Sequence, residues 1–120
     1  MNAVIYTRDD SEFESLKETV VKICGPDSVT RAELNGHKVY RVAYDIVIVM
    51  LDGAEGMEVA LEYKVRFPKT RVIWISNDQY FTAMALRKHI YDFAIRPVDE
   101  SRLENSIREA AKQIGLEKAL

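Results

Sequence analysis

The chain has 120 residues, the size of one ordinary domain with a single core. With 48% hydrophobic and 30% charged residues the composition is globular, and a formal net charge of −2 draws it to neither nucleic acid nor anionic lipid. The longest apolar run, 46–51, is too short to cross a bilayer, no signal-peptide core opens the chain, and one cysteine excludes an internal disulfide, so a cytoplasmic protein is expected.

Short apolar runs alternate with longer segments of helical period, the pattern of a parallel sheet covered on both faces. The first strand is expected at 3–7. A helix follows with Phe13, Leu16, Val20, Ile23 and Cys24 on one stripe, Ser11 and Glu14 as its capping box, and Gly25-Pro26 as its stop. Cys24 reads as a buried structural thiol. A weaker strand over 28–33 leads through Asn35-Gly36 into a short helix carrying Val39, Val42 and Ala43. Ile46, Val47, Ile48 and Val49 then make a continuous, β-branched strand of the kind buried on both faces, ending at Met50. Gly53 and Gly56 break the chain before a helix that turns Met57, Ala60, Leu61 and Val65 inward and closes at Pro68. A fourth strand, 72–75, ends at Ser76-Asn77-Asp78, and the next helix runs through Phe81, Met84, Ala85 and Ile90. The fifth strand, 93–95, reaches Arg96-Pro97. Asp99 caps a last helix, expected over 99–114, with Leu103, Ile107, Ala110, Ala111 and Ile114 at helical spacing. Five βα units in this order give an α/β, flavodoxin-like doubly wound fold: a five-stranded parallel sheet with helices on both faces and its functional site at the carboxyl ends of the strands. Residues 1–120 are expected to form one domain, whose short tail, 117–120, leads toward an effector domain if the coding sequence continues.

Four segments at and around those strand ends carry a resemblance. They are Tyr44-Asp45-Ile46-Val47-Ile48-Val49, Gly56-Met57-Glu58, Val72-Ile73-Trp74-Ile75-Ser76 and Tyr91-Asp92-Phe93-Ala94-Ile95-Arg96-Pro97. With them the chain resembles a response-regulator receiver domain, the CheY-like family, over essentially its whole length. From Gly56 through Pro97 it is similar, without a gap, to the receivers that precede LytTR-type DNA-binding domains. The resemblance implies that the phosphoacceptor position is Met50 and that Ser76 is the hydroxyl that binds the phosphoryl group. It also implies that Phe93 is the aromatic that changes rotamer on activation. Arg96-Pro97 corresponds to the family's Lys-Pro, with a cis peptide bond before the proline.

Receivers hold Mg²⁺ between two acids after the first strand and the acceptor carboxylate, while a lysine and a hydroxyl take the remaining phosphoryl oxygens. Here the charged parts differ. Met50 has a thioether, which cannot take up a phosphoryl group. Thr7 and Arg8 stand at the acid pair, with Asp9 and Asp10 displaced toward the helix. Making Asp9 and Asp10 the pair instead would push Arg8 into the buried register of the strand. The loop 51–55 is shorter than the family pattern and lacks its Met-Pro-Gly turn. Arg96 is not equivalent to lysine, because a guanidinium forks bidentately where an ammonium is a point charge. It could pair with Asp52, Asp9 or Asp10. Together, Arg8 and Arg96 would make the pocket cationic, so that the domain is locked or binds a small anion; a plain surface ion pair is the simpler alternative. No cofactor is expected, and Mg²⁺ enters only if Asp9, Asp10 and Asp52 form a shifted site. His37 and His89 have no partners at ligand spacing, and phosphate-cradling glycine motifs are absent.

Two functional classes compete. In the first, which is not an enzyme, the chain is a degenerate pseudo-receiver: a two-component regulatory module that has lost phosphorylation and works by protein–protein interaction. Its partner, another protein or a second copy, would dock on the helix between Tyr80 and Tyr91, the fifth strand and the last helix, where aromatic anchors are available. In the second, the chain is a phosphorylatable receiver using Asp52 as a displaced acceptor, the regulatory half of a transcription factor. An ordinary Asp-Gly turn explains Asp52 equally well. Neither class involves a membrane. Direct nucleic-acid binding by this domain lacks a basic patch or a helix-turn-helix signal.

Overall fold

The computed structural model describes residues 1–119. Strands β1 (Ala3–Tyr6), β2 (Val29–Arg31), β3 (Ile46–Val49), β4 (Arg71–Ser76) and β5 (Asp92–Ile95) form one sheet in the order β2-β1-β3-β4-β5. All four pairings are parallel. β3 lies at the centre and is wholly buried, because each face meets its own core. Ile46 and Ile48 face one, and Val47 and Val49 the other. Burial on both sides is why this strand reads as a continuous apolar run and not as an alternation.

Helices α1 (Asp10–Cys24) and α4 (Glu100–Ala119) cover the first face, with Leu16, Val20, Ile107, Ala110 and Ile114 packed on Ile5, Ile48, Ile73 and Ile75. The second face is covered by α2 (Gly53–Arg66), a 3₁₀ turn at Gln79–Phe81 and the short α3 (Thr82–Arg87). There Val59, Ala60, Tyr63, Phe81 and Ala85 pack on Val47, Val49 and Trp74. The doubly wound α/β architecture is thus as expected from the sequence.

One unit departs from it. No helix follows β2; residues 32–45 are irregular, so among the described residues four α-helices serve five strands. Val39 and Val42 lie at the surface, while Tyr40 turns inward, its ring edge-on to Tyr63 with centroids 5.2 Å apart. Three apolar residues beside Gly36, whose φ is 84°, are too few to sustain a helix nucleus, and side-chain packing holds the segment in place of backbone ladders.

Several boundaries also move. Asp9 caps α1, its carboxylate accepting the Glu12 N–H at 2.9 Å, so Ser11 and Glu14 are inside the helix and form no capping box. In α2 the buried stripe is Gly56, Val59, Ala60 and Tyr63; Met57 and Leu61 flank it and Val65 is exposed. Gly53 and Gly56 lie within α2 instead of breaking the chain before it. α3 ends at Arg87, before Ile90, with His89 at a φ of 56°. Asp99 accepts the Ser101 N–H at 2.9 Å, as a cap should, but α4 runs on to Ala119. Its last turns are tied to the sheet by Glu117 with Arg71 and Lys118 with Asp45. Cys24 is half-buried, and burial pushes its thiol up from the ordinary value, away from thiolate reactivity.

Gly56 is a contact as well as a helix residue. A Cβ there would lie 2.0 Å from the Leu51 carbonyl oxygen, a backbone atom that cannot swing aside. Gly56→Ala is expected to cost about 2–3 kcal/mol in urea unfolding through overpacking. Gly115→Ala, in open space on α4, should instead gain about 0.5–1 kcal/mol from helix propensity.

Candidate functional site

The carboxyl ends of β1, β3 and β5 meet the first turns of α1 and α2 around an open cavity of about 440 Å³. Its lining is Thr7, Arg8, Asp9, Glu12, Met50, Leu51, Asp52, Glu55 and Arg96. Parallel strands end together here, and helix N-termini present unpaired N–H groups and a positive dipole end that favours acids. Glu12 and Asp52 occupy those positions, on α1 and at the cap of α2.

Arg96, just after β5, reaches across all of them. Its Nε–H donates to Asp52 Oδ1 at 3.1 Å, its Nη2 to the Met50 carbonyl at 2.8 Å and to Glu12 Oε1 at 3.3 Å, and its Nη1 to Glu12 Oε2. Glu12 is held from its other side by the buried Thr7 hydroxyl, which donates to Oε1 at 2.5 Å and accepts the Asp9 N–H at 3.2 Å. These hydrogen bonds, with Glu12 first, raise the Arg96 guanidinium above its ordinary pKa, so it is a permanent cation.

Met50 is only 5% exposed, its side chain packed in the first core at the cavity wall and its N–H given to the Tyr6 carbonyl at 2.8 Å. Arg8 points outward and forks onto Glu55, which Lys38 also meets at 3.2 Å. The lining therefore sets four carboxylates (Asp9, Glu12, Asp52 and Glu55) against two guanidiniums, and each guanidinium is engaged. The cationic pocket expected from Arg8 and Arg96 does not form, because each arginine folds onto an acid of the same cavity. Of the three expected partners of Arg96 only Asp52 is one. Asp9 is spent as the cap of α1, and Asp10 pairs with Arg31 at 2.8 Å, outside the cavity lining.

The remaining expected positions divide. Pro97, joined to Arg96 by a cis peptide bond, lines the adjoining hollow with Glu12, Met50 and Val98. Ser76 ends β4 fully buried, its Oγ accepting the Asp78 N–H at 3.1 Å, and does not line the cavity. Phe93 turns away onto Trp74 in the second core, edge-on with centroids 4.8 Å apart. Glu12 is the residue that reading the sequence missed. Its signal was available: Glu12, Leu16 and Val20 share one helix face, so an acid one turn before the buried stripe is aimed at the strand ends.

Asp9, Asp10 and Asp52 do not converge into the shifted Mg²⁺ site. Asp9, Asp10 and Asp52 have three different partners, and among the described residues no group of three or more His, Cys, Asp or Glu side chains is placed to hold a metal. Of the acids that line the cavity, Glu12 and Asp52 converge on Arg96, while Glu55 is held by Arg8 and Lys38 and Asp9 caps α1.

No protein-family model matches the sequence, and no curated protein matches it. Solved structures do. A response regulator receiver domain protein from Clostridium thermocellum superposes with a TM-score of 0.70 at 16% identity, covering 96% of this chain and 97% of that one. An adenylate cyclase from Rhodopirellula baltica gives 0.70 at 20% identity, covering 99% and 94%. A structure named for pilus assembly, from Burkholderia thailandensis, gives 0.62 at 23% identity, covering 93% and 98%. Likeness at these identities is likeness of fold: the chain has the fold of CheY-like receiver domains over nearly all of its length.

The hydrogen bond from Arg8 holds the Glu55 carboxyl below its usual range, with Lys38 adding to it. A carboxylate depressed in the folded state stabilises the protein above its unfolded pKa, and that contribution is lost as the pH falls through the folded value. In Arg8→Ala the Glu55 titration followed by carboxyl ¹³C NMR is expected to move upward. An unmoved titration would assign the depression to Lys38 alone.

Proposed function

We propose that the protein is a regulatory module of two-component signalling, a pseudo-receiver that is not phosphorylated at the position of Met50 and acts by protein–protein interaction. The observation that carries this reading is the pair at the heart of the cavity: a buried thioether at the end of β3 and a guanidinium seated on Glu12 and Asp52. Forming an acyl phosphate requires a carboxylate oxygen to attack phosphorus in line while cations offset the charge of the transferred group. Met50 has no such oxygen; Glu12, Asp52 and Glu55 are paired with arginine, and Asp9 caps α1.

The chain works without catalysis on this reading, as an adaptor whose partner reads a surface. Exposed Tyr80, Leu86 and Ile95, on the 3₁₀ turn, α3 and β5, supply apolar anchors on the side expected for partner docking. The similarity from Gly56 to Pro97 to receivers preceding LytTR-type domains supports a place upstream of a DNA-binding effector. The reading includes a cytoplasmic setting; among the described residues no helix is long and apolar enough to cross a membrane. Neighbouring structures of this fold carry the names adenylate cyclase and pilus assembly protein, so the fold alone does not fix the output.

The competing reading, phosphorylation at Asp52, is favoured by that carboxylate's place in the cavity lining and its 49% exposure. One experiment separates the two. The protein is incubated with acetyl phosphate or phosphoramidate and Mg²⁺ and its intact mass is measured. No phosphoryl adduct is expected; a hydroxylamine-labile adduct mapped to Asp52 and abolished by Asp52→Asn overturns the proposal.

A further inference from the structure

Three acceptors from three separate elements converge on one guanidinium: the Glu12 carboxylate of α1, the Asp52 carboxylate at the cap of α2, and the Met50 carbonyl after β3. Two carboxylates and a backbone carbonyl are hard oxygen donors of the kind Mg²⁺ or Mn²⁺ takes. A guanidinium and a divalent ion cannot share them, since both are positive and both need the same lone pairs. We infer that Arg96 is the resident cation of this site, covalently tethered, and that it closes the site to divalent ions and holds the ends of β3, α1 and α2 in one arrangement. The inference rests on the reading that Met50 carries no phosphoryl group.

The geometry is prepared for a forked cation. Thr7 fixes the Glu12 carboxylate from behind, so both of its oxygens face the two Nη atoms of Arg96. Nε is left to Asp52, and the second direction of Nη2 to Met50. An ammonium on a lysine stem carries its three donors on one atom and lacks the planar fork, so it could not meet both Glu12 oxygens side by side while also reaching Asp52 and Met50. Because the side chains of Arg96 and Glu12 are 29% and 20% exposed, the charges are partly desolvated, and removing one leaves its partners uncompensated. A bound ion is lost when its concentration falls, whereas a tethered one stays at fixed effective concentration. The site is therefore occupied under all ionic conditions that leave the protein folded.

Mn²⁺ is the probe. The wild-type chain, Arg96→Met, which keeps the bulk of the stem, and Arg96→Met/Glu12→Gln are titrated with MnCl₂, and paramagnetic broadening of backbone amides is followed by NMR. Wild-type amides at 7–12 and 50–52 should show no saturable, selective broadening. Arg96→Met should bind Mn²⁺ at those amides at least about tenfold more tightly than the wild type, and the added Glu12→Gln should abolish the gain. Saturable broadening of the wild type overturns the inference, as does an Arg96→Met chain that folds and gains nothing. If Arg96→Met does not fold, Arg96→Gln serves, because it keeps a polar side chain and loses the charge. Mn²⁺ binding to it supports the inference, and behaviour identical to wild type overturns it. None of these outcomes bears on the mass measurement at Asp52, so the two readings fail separately.

Discussion

The ends of β3 and β5 and the first turns of α1 and α2 are joined through one side chain. A parallel sheet brings its strand termini to a common edge, and the helices that follow begin there, so acids at their first turns are favoured by the helix dipoles and crowd together. Glu12 and Asp52 are such acids. Left alone they would repel, and Arg96 converts that repulsion into a cross-link over an 84-residue separation in the case of Glu12. The arrangement is coupled in both directions: the acids raise the arginine's affinity for its proton, and the arginine fixes the acids. A partly buried pair of this kind adds modestly to stability while intact, but breaking it from one side is costly.

The sheet places Arg96 for this task. β5 pairs with β4 along its whole length, and the Arg96 N–H continues the ladder to the Ser76 carbonyl at 2.8 Å, so the backbone that carries the guanidinium is as fixed as the strand. On the far side, Tyr6 of β1 and Tyr63 of α2 share a buried hydrogen bond of 2.7 Å. Tyr40 from the irregular segment stacks edge-on to Tyr63, and burial pushes its phenol up to about 12. Here side-chain packing replaces the helix that the sequence led one to expect after β2. The same segment sends Lys38 to Glu55, so the region without a helix still contributes a charge to the cavity rim.

What could be read in advance follows from what leaves a local trace. The β-branched run 46–49 can only be a strand buried on both faces, and the stripe from Leu103 to Ile114 can only be a packed helix; both stand where expected. Ala60 was placed correctly on the α2 stripe, but Gly56, Val59 and Tyr63 were missed, because a glycine and a tyrosine whose ring stands in an aromatic cluster weigh little in an apolar count that favours Leu61 and Val65. Gly56 reads as a breaker until the Leu51 carbonyl is set against it. At the site, Met50, Asp52 and Arg96 were legible as positions and Asp52 was among the partners expected for Arg96, yet its contacts to Glu12 and to the Met50 carbonyl were not. Ion pairs between residues distant in sequence have no periodicity, and a polar residue on the inner face of a helix end is invisible to a hydrophobic pattern. Glu12 escaped notice for that reason, while the more conspicuous Asp9 and Asp10 turned out to serve α1 and Arg31.

A switch needs a ligand that binds one of two arrangements better than the other, and it shifts the balance only by that difference. On the proposed reading the cavity offers no such ligand. The thioether accepts nothing, and the converging oxygens are already bound to a cation that cannot leave. The face formed by the 3₁₀ turn, α3 and β5 is then presented in one arrangement, because the backbone after β5 is anchored through Arg96 to the opposite strand and to two helices. Any response of such a module has to enter through the partner that docks on it, or through its own abundance. On that reading the fold serves as a rigid scaffold that displays a surface, with the cross-link at the strand ends supplying the rigidity.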